Sequence, residues 1–170
     1  MGGTIYEDTR QHEGKHKAKH LWWAEHGVEV VRRKLSTGDY MRDGSNYTVD
    51  TKCCVNEVAQ NVCGNQHDRF RRECERARSE GCVLVVLVEN RHGYREVGDV
   101  VRWRNRYGKV TGKRLLKALL TMQERYGVRF EFCGPKDSAR RICEILGVEY
   151  EQDAGGGAQA APAGLQDAPD

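Results

Sequence analysis

Asp39, Asp50 and Lys52, within the stretch GDYMRDGSNYTVDTK (38–52), are the residues whose types and spacing suit chemistry. If Gly44 and Ser45 are the central residues of a type II′ turn, with glycine first, facing positions are fixed and Asp39 lies opposite Asp50. A four-residue loop from Asp43 to Asn46 gives the same register, whereas a turn on Asp43-Gly44 leaves the two carboxylates diagonal on one face. Directly opposed residues have Cβ atoms about 4.5–5.5 Å apart, and like charges there repel. A divalent cation reverses the sign of that interaction, and Mg²⁺ needs only one or two carboxylates because it keeps several waters. Lys52 joins the same face by strand alternation, where it would orient a nucleophilic water or stabilise charge on a phosphate. Tyr40, Val49 and Thr51 point the other way, into a core. The plain alternative is a solvated hairpin face on which Lys52 neutralises its neighbours.

The elements that must position these residues are readable from periodicity. Thr4 to Glu7 reads as a short strand, Lys15 to Glu25 as a helix closed by Gly27, and Val28 to Val31 as a strand. After the hairpin come a short helix from Glu57 to Cys63 and a stronger one from His67 to Glu80, with Phe70, Cys74 and Ala77 inward. CVLVVLVEN (82–90) is a continuous apolar run, the mark of a central strand covered on both faces. A helix over 113–126 follows, then an alternating strand over 128–132 and a last amphipathic helix over 138–146. Such alternation predicts an α/β domain with a mixed central sheet flanked by helices.

The chain has 170 residues, 38% of them hydrophobic, enough for one domain with its own core. No stretch approaches the roughly 18 apolar residues of a membrane span, and MGGTIYEDTRQ lacks a signal-peptide core, so a cytoplasmic location is expected. Seven cysteines without a C-x-x-C pair argue against zinc and against a disulfide framework; they are expected to be reduced and mostly buried. From Glu151 onward there are four acids and no Lys or Arg, so residues 1–150 carry 28 basic against 21 acidic side chains. That balance suits a polyanionic partner. Residues 151–170 read as a disordered Ala/Gly/Pro-rich acidic tail appended to a domain spanning 1–150.

HEGKHKAKH (12–20) supplies a basic helix side. Its three histidines recur at helical spacing, but the intervening lysines would repel a cation, so Lys15 and Lys19 are expected to contact phosphates, with Arg10 adding to them. The arginines of HDRFRRECERAR alternate with acids, and intrahelical pairing explains much of that pattern; Arg69 and Arg72 are the candidates for nucleic-acid contact. One of Trp22 and Trp23 is expected in the core. Trp103 falls in a Gly- and Arg-rich connection that reads as a surface or substrate loop.

The order DTR (8–10), then LSTGDY (35–40), then VDTK (49–52), followed by a helix and a hydrophobic strand ending at Glu89, resembles the XPF-type nuclease domain. That family belongs to the PD-(D/E)XK, or restriction-endonuclease-like, superfamily. The blocks DTRQHEGKHKAKH, HDRFRRECERA, VLVEN and RYGVRFEFC look most like its small stand-alone form in phages and prophages. The resemblance covers residues 4–147 and implies a restriction-endonuclease-like core. It also implies that Asp39, Asp50 and the Thr51 backbone carbonyl hold Mg²⁺ or Mn²⁺, that Lys52 stands beside the attacking water, and that Asp8 assists. It points to a DNA endonuclease of phage or bacterial repair, recombination or replication, with selectivity for DNA structure as a further option. DNA, double-stranded or branched, would be its partner, and a homodimer is compatible. Three positions depart from the family pattern. Gln11 replaces a glutamate, Asp50-Thr51-Lys52 stands for Glu-Arg-Lys, and Asn56 replaces a trailing aspartate, which puts a second metal in doubt. A DNA-binding module that keeps the fold without cutting is the competing reading.

Overall fold

A computed structural model of the chain describes residues 3–106 and 108–153. Six strands form one sheet in the order β2-β1-β3-β4-β5-β6: β1 (Thr4–Asp8), β2 (Glu29–Arg33), β3 (Tyr40–Met41), β4 (Tyr47–Lys52), β5 (Val83–Glu89) and β6 (Arg129–Cys133). β3 alone is reversed, antiparallel to both β1 and β4, while the remaining pairs are parallel. β1, β4 and β5 therefore end at the same edge of the sheet, where the short β3 begins. The expected α/β class with a mixed, helix-flanked sheet is what the chain adopts.

The helices are α1 (Lys17–Glu25), α2 (Val55–Cys63), α3 (His67–Ser79), α4 (Gly112–Tyr126) and α5 (Ser138–Leu146). They divide between two cores because successive strand residues face opposite sides. Leu84, Val86 and Val88 of β5 pack with Phe70, Leu115 and Leu119 beneath α2, α3 and α4. Leu87 joins Ile5, Tyr40 and Val49 under α1 and α5, around Trp23 and Ile142. A strand covered on both faces can afford no polar position in its middle, which is why VLVVLV is uninterrupted. Trp23 is fully buried and donates its indole N–H to Ala139 O at 3.0 Å, tying α1 to α5. Trp22 is half-buried and stacks on His26, with ring centroids 3.8 Å apart.

The hairpin turn is centred on Asp43-Gly44, not Gly44-Ser45: Ser45 N–H donates to Arg42 O, and Gly44 takes φ +80°. The expected register survives: Tyr40 pairs with Val49 and Met41 with Thr48, and residues 42–47 close the hairpin. Regular pairing stops one residue short of the carboxylates. Asp39 N–H donates to Val49 O at 2.7 Å, following a left-handed Gly38 (φ +71°). A Cβ on Gly38 would meet Thr48 Oγ1 and stand 2.9 Å from Val49 O, so that bend belongs to glycine.

Trp103 is not on a loop surface. A 3₁₀ segment over Val97–Arg102, capped by Glu96 and Asp99, folds it inward to 7% exposure, and its indole N–H donates to Asn56 Oδ1 at 2.6 Å. All seven cysteines are free, but only Cys74 and Cys143 are buried and Cys53 is exposed, which corrects the expectation of mostly buried thiols. No helix among the described residues is long and apolar enough to cross a membrane. Of the expected tail, residues 154–170 lie outside the described residues. Within 151–153, Glu151 N–H donates to His26 O at 3.0 Å, and Asp153 meets the His26 ring at the same distance.

Candidate active site at the end of the fourth strand

A polar cleft of about 660 Å³ opens where β1, β4 and β5 end, lined by Asp8, Asp39, Asp50, Thr51 and Lys52 among others. Asp39 and Asp50 are 7% and 6% exposed, so two carboxylates share one desolvated corner. Burial raises the pKa of Asp39 against the opposing pull of Thr51 and Lys52, and Glu73 adds to the rise. Burial also raises Asp50, with Asp39 the next cause. Asp50 Oδ2 is buried, and Lys52 Nζ meets it at 2.8 Å. Burial of Lys52 works against its charge, but Asp50, Glu57 and Asp39 outweigh it and the ammonium pKa is raised. Lys52 is thus a resident cation rather than a base.

Asp39 is held from three directions. Its Oδ2 accepts from Thr51 N–H and Thr51 Oγ1–H, both at 2.8 Å, and its Oδ1 accepts from the Gln11 amide. Thr51 therefore reaches its hydroxyl to Asp39 instead of packing inward as strand alternation suggested. Behind Gln11 runs a chain of polar contacts. Gln11 Oε1 lies 3.1 Å from His16 Nε2, His16 Nδ1 lies 3.2 Å from Lys19 Nζ, and Lys19 Nζ lies 2.7 Å from Glu89 Oε1. Burial and the Lys19 charge lower His16 to about 4. The imidazole is therefore neutral at pH 7, able to donate from Nε2 to Gln11 while accepting from Lys19.

The remaining expected residues divide sharply. Asp8 lines the cleft, but Arg10 Nε, at 2.6 Å, and Leu35 N–H, at 3.1 Å, occupy its two oxygens. It fixes the loop before β3 and offers the cleft no unused oxygen. Arg10, expected to contact DNA, holds Asp8 and donates to Leu35 O at 2.7 Å. Lys19 is 6% exposed and ion-paired with Glu89, so it is no surface contact. Lys15 and Arg69 are exposed on the cleft rim, while Arg72 is exposed outside the lining. Asn56 turns to Trp103 and is not in the lining; Glu57 is, with one oxygen accepting Cys53 N–H at 2.8 Å.

Residues that spacing did not single out come from α3. Glu73 accepts Gly38 N–H at 3.0 Å, and Arg76 Nε donates to Ser36 O at 2.9 Å, so α3 clasps the loop that delivers Asp39. The signal was present: Glu73 and Arg76 lie three apart on one helix face, and both look intrahelically paired when the sequence is read alone.

Two carboxylates sharing one desolvated corner at the strand ends fit a hard divalent ion that brings its own waters. Among the described residues there is no group of three or more His, Cys, Asp or Glu that could hold a metal ion.

A mixed sheet with one reversed strand, its acids and a lysine gathered at strand ends, is the architecture of a restriction-endonuclease-like domain. The chain belongs to the ERCC4 domain family, whose model matches residues 8–145, and the expected XPF-type relationship is thereby borne out. That family comprises nuclease domains that act on DNA and generally use divalent metal ions. None of the curated proteins matches the chain.

Proposed function

We propose that this domain is a metal-dependent DNA endonuclease that hydrolyses phosphodiester bonds, with double-stranded or branched DNA as substrate. The observation that carries the reading is the pair of buried carboxylates, Asp39 and Asp50, gathered at the strand ends with the Lys52 ammonium 2.8 Å from Asp50 Oδ2. Asp39, Asp50 and the Thr51 carbonyl would hold Mg²⁺ or Mn²⁺. When bound, such an ion lowers the pKa of a coordinated water and offsets charge building on the phosphate. Thr51 and Gln11 hold the Asp39 carboxylate in one orientation. Lys52 remains an ammonium and places its N–H bonds where the attacked phosphate oxygen gains charge. Asp8, through Arg10 and Leu35, keeps the strand ends together and acts as a positioning residue. Lys15 and Arg69 are the phosphate contacts on the rim, with Arg76 beside them. A bacterial or phage cytoplasm, and a role in repair, recombination or replication, suit the resemblance.

Incubating the full chain with plasmid, single-stranded and branched DNA tests this directly. Cutting is expected with Mg²⁺ or Mn²⁺ and not with EDTA, and Lys52→Ala is expected to stop it while leaving the fold intact. Wild-type rates from Lys52→Ala would sink the assignment. The second reading, a module that binds DNA without cutting, is favoured by the Gln11 amide on Asp39 Oδ1, and binding without cutting under every metal condition would establish it.

Gln11 also sets the charge of the site. Gln11→Glu adds a carboxylate beside Asp39, and affinity for hard cations rises with ligand charge. Titration calorimetry with Mn²⁺ is expected to show roughly tenfold tighter binding than wild type, about 1.4 kcal/mol. Unchanged affinity would mean that position 11 lies outside the ion's reach.

A further inference from the structure

A second cleft, of about 780 Å³, adjoins the first across the end of β5: Glu89 lines one and Asn90 the other. Their charges differ. The catalytic cleft carries six carboxylates against five Lys and Arg side chains, so by itself it does not attract a polyanion. The second cleft carries five Lys and Arg side chains against one acid, Asp137. Arg140 and Arg141 are committed to Asp137, Glu144 and Glu131. Arg91, Arg95 and Lys136 are exposed, and among the described residues their side chains have no ion pair.

The walls that present these three cations are rigidly built. Asn90 is 4% exposed; its Oδ1 accepts His92 N–H and Tyr94 N–H, at 3.2 and 3.0 Å, and its Nδ2 donates to Tyr94 O at 2.8 Å. Asp99 Oδ2 accepts the N–H groups of Arg95 and Glu96 at 2.8 and 3.2 Å. On the other wall Asp137 N–H closes a turn on Gly134 O at 3.0 Å, with Lys136 at its tip. A loop whose polar backbone is satisfied internally holds its long cations outward at little ordering cost on binding.

We propose that this cleft binds the sugar-phosphate backbone of duplex DNA flanking the scissile bond, through Arg91, Arg95 and Lys136. The DNA thus runs from the rim of the catalytic cleft across the end of β5. The inference rests on the nuclease reading, but its test separates the two. Binding of a labelled 30-base-pair duplex is followed by fluorescence anisotropy in EDTA over a salt series, using the full chain. Each lost phosphate contact lowers the slope of log affinity against log salt by about 0.9. The variant Arg91→Ala/Arg95→Ala/Lys136→Ala is expected to lose roughly 2–3 from that slope and to bind at least about tenfold more weakly at moderate salt. At saturating DNA with Mg²⁺ it is expected to cut within about threefold of wild type. Lys113→Ala/Lys117→Ala, on α4, is expected to leave slope and affinity unchanged.

If the triple variant keeps the wild-type slope while the wild type binds and cuts, the extended track is wrong and the nuclease reading stands. An equal fall in the α4 variant would show diffuse charge and overturn the track as well. If the wild type neither binds nor cuts, the nuclease reading fails first.

Discussion

Asp50→Asn is expected to abolish cleavage and yet to melt above the wild type in EDTA. The activity loss follows from removing one of two carboxylates that would hold the ion; several kcal/mol of charge stabilisation disappear, which is about a thousandfold or more in rate. The stability gain follows from the same burial. Burial raises both aspartates; Asp39 and Glu73 add to the rise of Asp50, Glu73 adds to that of Asp39, and Lys52 opposes both. A carboxyl whose folded pKa exceeds its ordinary 3.8 binds more protons in the native state than in the unfolded one. Its contribution is therefore fully present below about pH 4 and is lost as pH rises through the folded value. Asparagine fills the same space without that loss. The gain is expected to be about 1 kcal/mol at pH 7, and to shrink toward pH 4. Mn²⁺ reverses the order, because an ion that binds only the native wild type stabilises it by about 2.7 kcal/mol at a hundred times its Kd. Thermal midpoints of both proteins, with EDTA and with Mn²⁺, at pH 4.5 and 7, check all four corners. A variant less stable than wild type in EDTA at pH 7 would show that Lys52 needs Asp50 more than Asp39 repels it.

Lys19→Met is expected to produce the largest loss of stability. Its side chain is 7% exposed, and its Nζ lies 2.7 Å from Glu89, whose side chain is 15% exposed. Removing one partner of such a pair strands the other, at about 3 kcal/mol. Urea unfolding is the measurement, and Lys19→Met/Glu89→Gln is expected to recover at least half of the loss, since glutamine still accepts from Ser138 Oγ, now 2.7 Å from Glu89. A surface phosphate contact behaves oppositely: the single variant would stay within about 1 kcal/mol of wild type and lose salt-dependent DNA affinity instead.

Lys19 also shows where the sequence was and was not legible. Every strand and helix expected from periodicity is present, because buried faces impose their period on the chain. The hairpin register was recoverable because two of the three candidate turns give the same facing pairs, Tyr40 with Val49 and Met41 with Thr48. Side-chain partners were less accessible. Lys19 lies four residues before Trp23, on the buried face of α1, and that spacing could have located it. Its partner Glu89 stands 70 positions away, and no local pattern announces a pair so distant in sequence. The same holds for Arg10, whose predicted phosphate contact gave way to Asp8 and Leu35 O, and for Trp103, whose glycine- and arginine-rich setting hid a capped 3₁₀ turn. Composition reports what a segment is made of, whereas burial depends on what reaches it.

The contact between Asn56 and Trp103 decides what position 56 can do. An indole N–H holds its side-chain oxygen at 2.6 Å, outside the lining of the catalytic cleft. An aspartate there would accept the same N–H and stay turned from the cleft, so Asn56→Asp would add a carboxylate to the chain without adding a ligand to the site. Position 56 is a latch between α2 and the 3₁₀ segment, not an empty seat beside the ion.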